Sequence, residues 1–217
     1  YSVFTVPLTM AAALGLALIL NQKLKGINMF RTVFFFPHVA SLVAVAVVWN
    51  LLFHPTLGPI NNILRAMGVA NPPGWTSTID WAMPVIIIVS IWKSMGYYMI
   101  LYLSGLQAIP RELYEAAKVD GANGIQSFFR ITLPLIAKNV LTLCIPFTLW
   151  RLTTFDLVYS MTSGGPGEDT ALIAYRITTE AFTNLNVGYA SALAMLLFVV
   201  MAIFSWLNIR VMNKFDS

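Results

Sequence analysis

VFFFPHVASLVAVAVVWNLLF, residues 33–53, carries no formal charge from end to end. A helix rises about 1.5 Å per residue, so roughly 20 apolar residues cross the ~30 Å hydrocarbon layer of a bilayer. Four further stretches have the same character: 3–20, uncharged; 82–106, interrupted only by Lys93; 135–155, with Lys138 near its start and Arg151 near its end; and 189–209, uncharged until Arg210. Within lipid every backbone N–H and C=O must be satisfied inside the segment, so these stretches are predicted helices. Alternating barrel strands of about 10 residues are not written here. The expected fold is therefore all-α, a polytopic transmembrane bundle with five spans, forming a single domain over 1–217. Composition agrees. The chain is 58% hydrophobic and 10% charged, against about 45–50% and about 25% in soluble domains. That excludes a soluble globular domain, a disordered tail and a disulfide-stapled miniprotein. A net charge of +4 could suggest nucleic acid, but the basic residues are scattered between apolar blocks rather than gathered in a patch. The lone Cys144 excludes an intramolecular disulfide and a cysteine metal cluster.

Basic residues set the expected orientation. The link between spans one and two carries Lys23, Lys25 and Arg31; that between three and four carries Arg111, Lys118 and Arg130; the tail carries Arg210 and Lys214. The other links carry only Arg65 and Arg176. The positive-inside rule puts the first set, and the C-terminus, in the cytoplasm and Tyr1 outside. Five spans that start outside lead us to expect a sixth helix N-terminal to this sequence. Of the outer links, 54–80 is turn-rich, with His54-Pro55, Gly58-Pro59 and Asn71-Pro72-Pro73-Gly74. The other, 156–188, opens with the turn Ser163–Gly167. It continues into a short amphipathic helix predicted from about Thr170 to Phe182, with Asp169 or Thr170 as its cap.

The segment IPRELYEAAKVDGANGIQSFFRITLP, residues 109–134, is too long for a turn and too polar to span. Pro110 suits a first helical turn, Glu112 and Glu115 complement the helix dipole there, and Gly121 can take the left-handed position after the last turn. A short helix over 110–120 is predicted, lying across the inner face. A second starts near Gln126 and runs into span four past Pro134. Ala116 and Ala117 keep one side of the short helix thin enough for another protein's backbone to approach, with Leu113 and Tyr114 as larger contact surfaces. From residues alone, a plain re-entry loop with a helix reads equally well. The pattern Glu115-Ala116-Ala117, then Gly121, then Ile131-Thr132-Leu133-Pro134 nevertheless resembles the EAA signature of ABC-importer permeases of bacteria and archaea. Gly105-Leu106-Gln107-Ala108-Ile109-Pro110, Phe155-Asp156, Thr162–Gly167, Ala181-Phe182 and Gly188-Tyr189-Ala190-Ser191-Ala192 resemble the sugar branch of that family, the maltose and glycerol-phosphate type.

The resemblance implies a multi-pass subunit of the bacterial inner membrane, surrounded by lipid, that carries a carbohydrate. It implies a second homologous permease, two ATPase subunits and an extracytoplasmic solute-binding protein as partners, and no nucleic acid. The region 110–124 becomes a cytoplasmic coupling region in which Tyr114, Glu115, Ala116, Ala117 and Gly121 meet the ATPase. ATP and Mg belong to that ATPase, and no cofactor is expected in this chain. Gly164-Gly165-Pro166-Gly167 lacks the Lys-Ser/Thr ending of a phosphate loop. Nor is there an HExxH or GxSxG pattern, so the chain is not expected to be an enzyme.

Two ionisable groups fall within spans. Such groups are costly there and usually face a water-filled path or a partner. Lys93 could equally snorkel or pair with a carbonyl, and Arg151 could pair with Asp156 or an interfacial lipid. The resemblance implies a sugar site with Lys93, Ser94 and Tyr97 on one wall and Phe147, Trp150, Arg151 and Thr154 on the other. Trp150 and Phe147 are also readable as ordinary packing, and His38 beside Pro37 as a packing or kink residue. Arg151 departs from the small or polar residue expected at its place. Two cations near one path suggest an anionic sugar, such as a uronate oligosaccharide or a phosphorylated polyol. The alternative function is a stand-alone secondary transporter or channel, which would show inverted repeats and discontinuous apolar segments; neither is visible in the sequence. A non-transporting scaffold leaves Lys93 and Arg151 unexplained.

Overall fold

A computed structural model of the protein describes residues 1–22 and 26–214. Lys23 and Lys25, two of the basic residues behind the expected inner position of the first link, lie outside the described residues. No strand occurs among the residues described. Three helices are each long and apolar enough to cross a bilayer: α1 (Ser2–Leu20), α5 (Ile79–Gln107) and α11 (Val187–Lys214).

The second expected span is broken. It consists of α2 (Ile27–Val39) and α3 (Leu42–Leu52), bent by 99° at the break. Ala40 and Ser41 adopt extended ψ values of 142° and 132° and so cannot continue the helical ladder. Pro37, inside the last turn of α2, already lacks one backbone donor. The apolar run shows no interruption in the sequence because the break uses Ala and Ser rather than charge. The fourth span bends too, by 58° between Ala137 and Asn139. It begins with a single helical turn, α7 (Gly124–Ser127), passes through a π-turn at Phe128–Thr132 and continues as α8 (Leu133–Leu152).

Both outer links hold more helix than expected. The first contains α4 (Pro59–Ala66), with Pro59 in its first turn, and a 3-10 turn at Trp75–Ser77. Asn61, buried in this link, donates to the Pro55 and Pro73 carbonyls and accepts from the Trp75 indole. The second opens with α9 (Asp156–Met161) before its glycine turn. The amphipathic helix there is shorter than predicted: α10 (Ile173–Thr178) runs into a π-turn at Thr179–Thr183. Neither Asp169 nor Thr170 caps it. The N-cap is Leu172, and the Thr170 hydroxyl instead donates to the Gly165 carbonyl at 2.7 Å and pairs with Thr162. Arg176 of α10 holds Glu168 at 2.5 Å and Glu180 at 3.5 Å. The hydrogen bond and charge of Glu168, followed by the charge of Glu180, raise the pKa of its guanidinium.

Side-chain contacts fix the directions of the helices. Tyr1 meets Ser90, and Met10 meets Tyr102, so α1 and α5 run parallel. Phe34 lies against Gly96 and Pro37 against Lys93, so α2 returns antiparallel beside them. Arg151 meets Ser94 while Asn139 meets Gly105, so α8 is antiparallel to α5 as well. Two buried clusters stack along α5. One joins α1, α5 and α8 through Met10, Ala13, Ala17, Tyr102 and Phe147; the other joins α3, α5 and α9 through Val45, Ala46, Val85, Ile86, Val89 and Val158. Lipid tails are as apolar as leucine, so such cores hold by close contact rather than by exclusion from water. Hence Ala13, Ala17, Ala46 and Ala82 are fully buried at helix crossings.

The closest approach of all is at Gly96. A Cβ built there would sit 1.8 Å from the Phe34 carbonyl oxygen, so α2 and α5 touch backbone to backbone. Gly105 differs: its added Cβ would meet only the Asn139 side-chain amide, at 2.5 Å, which can rotate away. Gly96→Ala should therefore lower the melting temperature of the detergent-purified protein sharply, as an overpacked core does at about 1–3 kcal/mol or more, while Gly105→Ala should be mild. Equal melting of Gly96→Ala and the unaltered protein would refute the backbone contact.

Candidate functional site

The backbone contact at Gly96 has a direct chemical result. It brings the C-terminal end of α2, whose carbonyls lose their helical partners at the break, against α5 one turn before the glycine. The residue there is Lys93. Its ammonium donates to the Ala40 carbonyl at 2.7 Å, to Pro37 at 3.0 Å and to His38 at 3.4 Å. A cation at a helix C-terminus is also favoured by the helix dipole. Lys93 is thus held by carbonyls, the plainer of its two sequence readings, and yet it still lines a cavity of about 480 Å³ between α2, α5 and α8.

Arg151 closes the opposite side. Its guanidinium donates to the Ser94 hydroxyl, to the Ser90 carbonyl at 3.2 Å and to the Tyr1 phenol at 3.3 Å, and it lies 4.7 Å above the centre of the Phe147 ring. Its Nε is buried without a partner. The expected pair with Asp156 is not formed. Asp156 lines the same cavity as an exposed carboxylate, and no ion pair joins it to Arg151 or Lys93 among the described residues.

Of the seven residues expected to form a sugar site, five line this cavity: Lys93, Ser94, Trp150, Arg151 and Thr154. Trp150 leaves 62% of its surface uncovered. Phe147 does not line the cavity. It is 1% exposed and packs on Tyr98 at 4.4 Å, where it supports Arg151 from behind. Tyr97 is one layer back, stacked on His38 at 4.6 Å. His38, read from sequence as a packing or kink residue, sits at the bend and also lines the cavity, where it meets Trp150 edge-on at 6.4 Å. Ser90 and Asp156 were also missed. The signal for Ser90 was present: Ser90, Lys93, Ser94 and Tyr97 share one helix face at the 3.6-residue period. No group of metal-ligating side chains is assembled among the described residues.

The second expected site is α6 (Arg111–Val119). It ends in a Schellman closure: the Gly121 amide donates to the Lys118 carbonyl at 3.1 Å and the Ala122 amide to Ala117 at 2.9 Å, with Gly121 left-handed at φ 80°. Asn123 and Gln126 then form a capping box that starts α7, three residues before the start expected from sequence when counted from the cap. Glu115, Ala116 and Val119 are exposed, while Tyr114 turns inward and its hydroxyl meets the Thr132 hydroxyl at 2.9 Å. That bond fastens α6 to the start of α8.

A family model described as binding-protein-dependent transport system inner membrane component matches residues 6–213. The chain is 35% identical to a probable ABC transporter permease protein, YurN, of Bacillus subtilis, over 97% of this chain and 73% of that protein. It is also 35% identical to the sulfoquinovosyl glycerol transport system permease protein SmoG of Agrobacterium fabrum, over 99% of this chain and 70% of that one. Among solved structures, a bacterial ABC transporter involved in the import of the acidic polysaccharide alginate superposes with a TM-score of 0.80 at 25% identity, over 97% of this chain and 77% of that one.

Lys93→Met keeps the length of the side chain and removes the donors, leaving the Pro37 and Ala40 carbonyls unpaired at roughly 1–3 kcal/mol each. Melting of the purified protein with no cargo present should fall by several degrees. Full stability combined with lost uptake would instead make Lys93 a cargo group with no part in the break.

Proposed function

Because this chain belongs to the inner membrane components of binding-protein-dependent transport systems, we propose that it conducts a carbohydrate, of anionic type, through an ATP-driven importer and holds it in the cavity between α2, α5 and α8. A second homologous permease completes the path. An extracytoplasmic binding protein delivers the cargo, and two ATPase subunits bind ATP and Mg on the cytoplasmic side, where the C-terminus also lies. The chain performs no catalysis of its own.

The observation that carries this reading is electrostatic. Lys93 and Arg151 face one cavity within the spans, and neither has a carboxylate partner among the described residues. Charges at membrane depth are strongly felt because the surroundings screen them weakly. An anionic cargo supplies the missing counter-charge. The exposed ring of Trp150 offers a surface for the C–H face of a sugar, with the Ser94 and Thr154 hydroxyls beside it. The relative that imports the acidic polysaccharide alginate is consistent with such a cargo.

The same helix carries the drive. α6 presents Glu115, Ala116 and Val119 outward for a motor subunit, and Tyr114 joins it through Thr132 to α8, which bears Trp150 and Arg151. Displacement of α6 on ATP binding tilts α8 and moves one wall of the cavity. Nucleotide thereby favours one of two arrangements of the spans.

Two measurements test the reading. Arg151→Gln should cut uptake of an acidic oligosaccharide by about tenfold or more, the scale of one charge-assisted hydrogen bond, and uptake of a neutral one much less; equal loss of both would remove the anionic cargo. Glu115→Lys and Gly121→Val, the latter strained at positive φ by about 1–2 kcal/mol, should each reduce co-purification of the ATPase. Undiminished association and transport would remove the coupling role of α6.

A further inference from the structure

We propose that an anionic phospholipid binds at the α6 end of the bundle, its phosphate between Arg31 and Arg111 and one acyl chain along α5. This assignment is independent of the cargo and concerns a different part of the molecule. A cavity of about 560 Å³ opens where α1 ends, α2 begins and α5 passes into α6. Its polar lining comes from Asn21, Gln22, Arg31, Gln107, Arg111 and Tyr114, with no carboxylate among the described lining residues. Arg31 is anchored at one corner, where its guanidinium donates to the Leu20 carbonyl at 3.0 Å. Its Nε is buried and has no partner among the described residues. A buried guanidinium N–H left unpaired is costly, and a phosphate oxygen is its natural acceptor. Arg111 is exposed on the same cavity and holds no side-chain partner among the described residues.

A second observation selects lipid over free phosphate. A groove of about 440 Å³ adjoins the cavity, sharing Arg31 and Gln107 with it. Its remaining lining is Ile100, Leu103, Ser104 and Ala108, a largely apolar track along α5 with one hydroxyl. A charged head beside a hydrocarbon-sized groove, at the level where apolar helices end, is the form of a phospholipid site. Basic pockets between spans near the inner surface bind anionic headgroups in this way. A lipid seated there touches α1, α2, α5 and the first residue of α6 together.

The test uses the assembled transporter in nanodiscs of phosphatidylglycerol mixed with phosphatidylcholine, followed by mass spectrometry of the lipid retained after detergent extraction. Phosphatidylglycerol should be retained over phosphatidylcholine, and Arg31→Gln and Arg111→Gln should each lower that retention about fivefold, the contribution of one surface arginine. Ile100→Trp, which fills the groove without altering charge, should also lower it. Arg111 is exposed and unbonded, so its variant tests the site even where the Arg31 variant does not assemble. Retention unchanged in Arg111→Gln would overturn the proposal. So would displacement of the lipid by millimolar inorganic phosphate with Ile100→Trp silent, which would identify a simple anion site.

Discussion

One ammonium group holds this architecture together. Lys93 caps the carbonyls that α2 gives up where the second span turns by 99°. In water such carbonyls would be solvated; at membrane depth a side chain must do it. Without that cap the carbonyls freed at the break, Pro37 and Ala40, lose their partner beside the cavity. The cluster around Val45, Val89 and Val158 depends on that angle, and so does the cavity beneath it. The lysine can reach the carbonyls only because Gly96, nearly one turn along α5, lets the two backbones meet. A missing side chain and a charged one, three positions apart, together define the bend.

The cavity then inherits its character from how the bend is made. Lys93 is bonded to carbonyls and Arg151 to hydroxyls and one carbonyl, so neither meets an acid side chain among the described residues. Neither forms an ion pair among the described residues, and the Arg151 Nε is left without a partner among them. The spans thus carry two basic side chains at one cavity without an ion pair among the described residues. The hydroxyl contact between Tyr114 and Thr132 ties the wall carrying Arg151 to the helix at the far end of the same segment.

The bundle was largely legible because hydrocarbon imposes a simple rule. Length and apolarity located α1, α5 and α11 to within a few residues, and Pro110, Glu112 and Gly121 located α6 through capping chemistry that is local in sequence. The break in the second span was only partly legible: Pro37 beside His38 marked a possible kink, but Ala40 and Ser41 carry no helix-stop signal, and Lys93, which caps the freed carbonyls, lies more than fifty positions away. The short outer helix was misplaced for a similar reason. Thr170 looks like a cap, but the glycine turn beside it offers a carbonyl first. Within the cavity, the family resemblance pointed to Lys93 and Ser94. It could not tell Trp150, which faces open space, from Phe147, which is buried against Tyr98, since the two lie on nearly the same stripe. His38 was unreadable until the bend placed it.

The two walls of the cavity are joined to α5 by different materials. Toward α2 the seam is backbone on backbone at a glycine, and nothing of solvent size can enter without forfeiting that contact. Toward α8 the seam combines the buried packing of Phe147 on Tyr98 with a guanidinium bonded to the Ser94 hydroxyl and the Ser90 carbonyl, and water can replace those polar bonds one for one. The first behaves as a weld and the second as a zip. On the proposed reading α8 is the wall that moves, and the backbone seam keeps α2 fixed to α5 as it does.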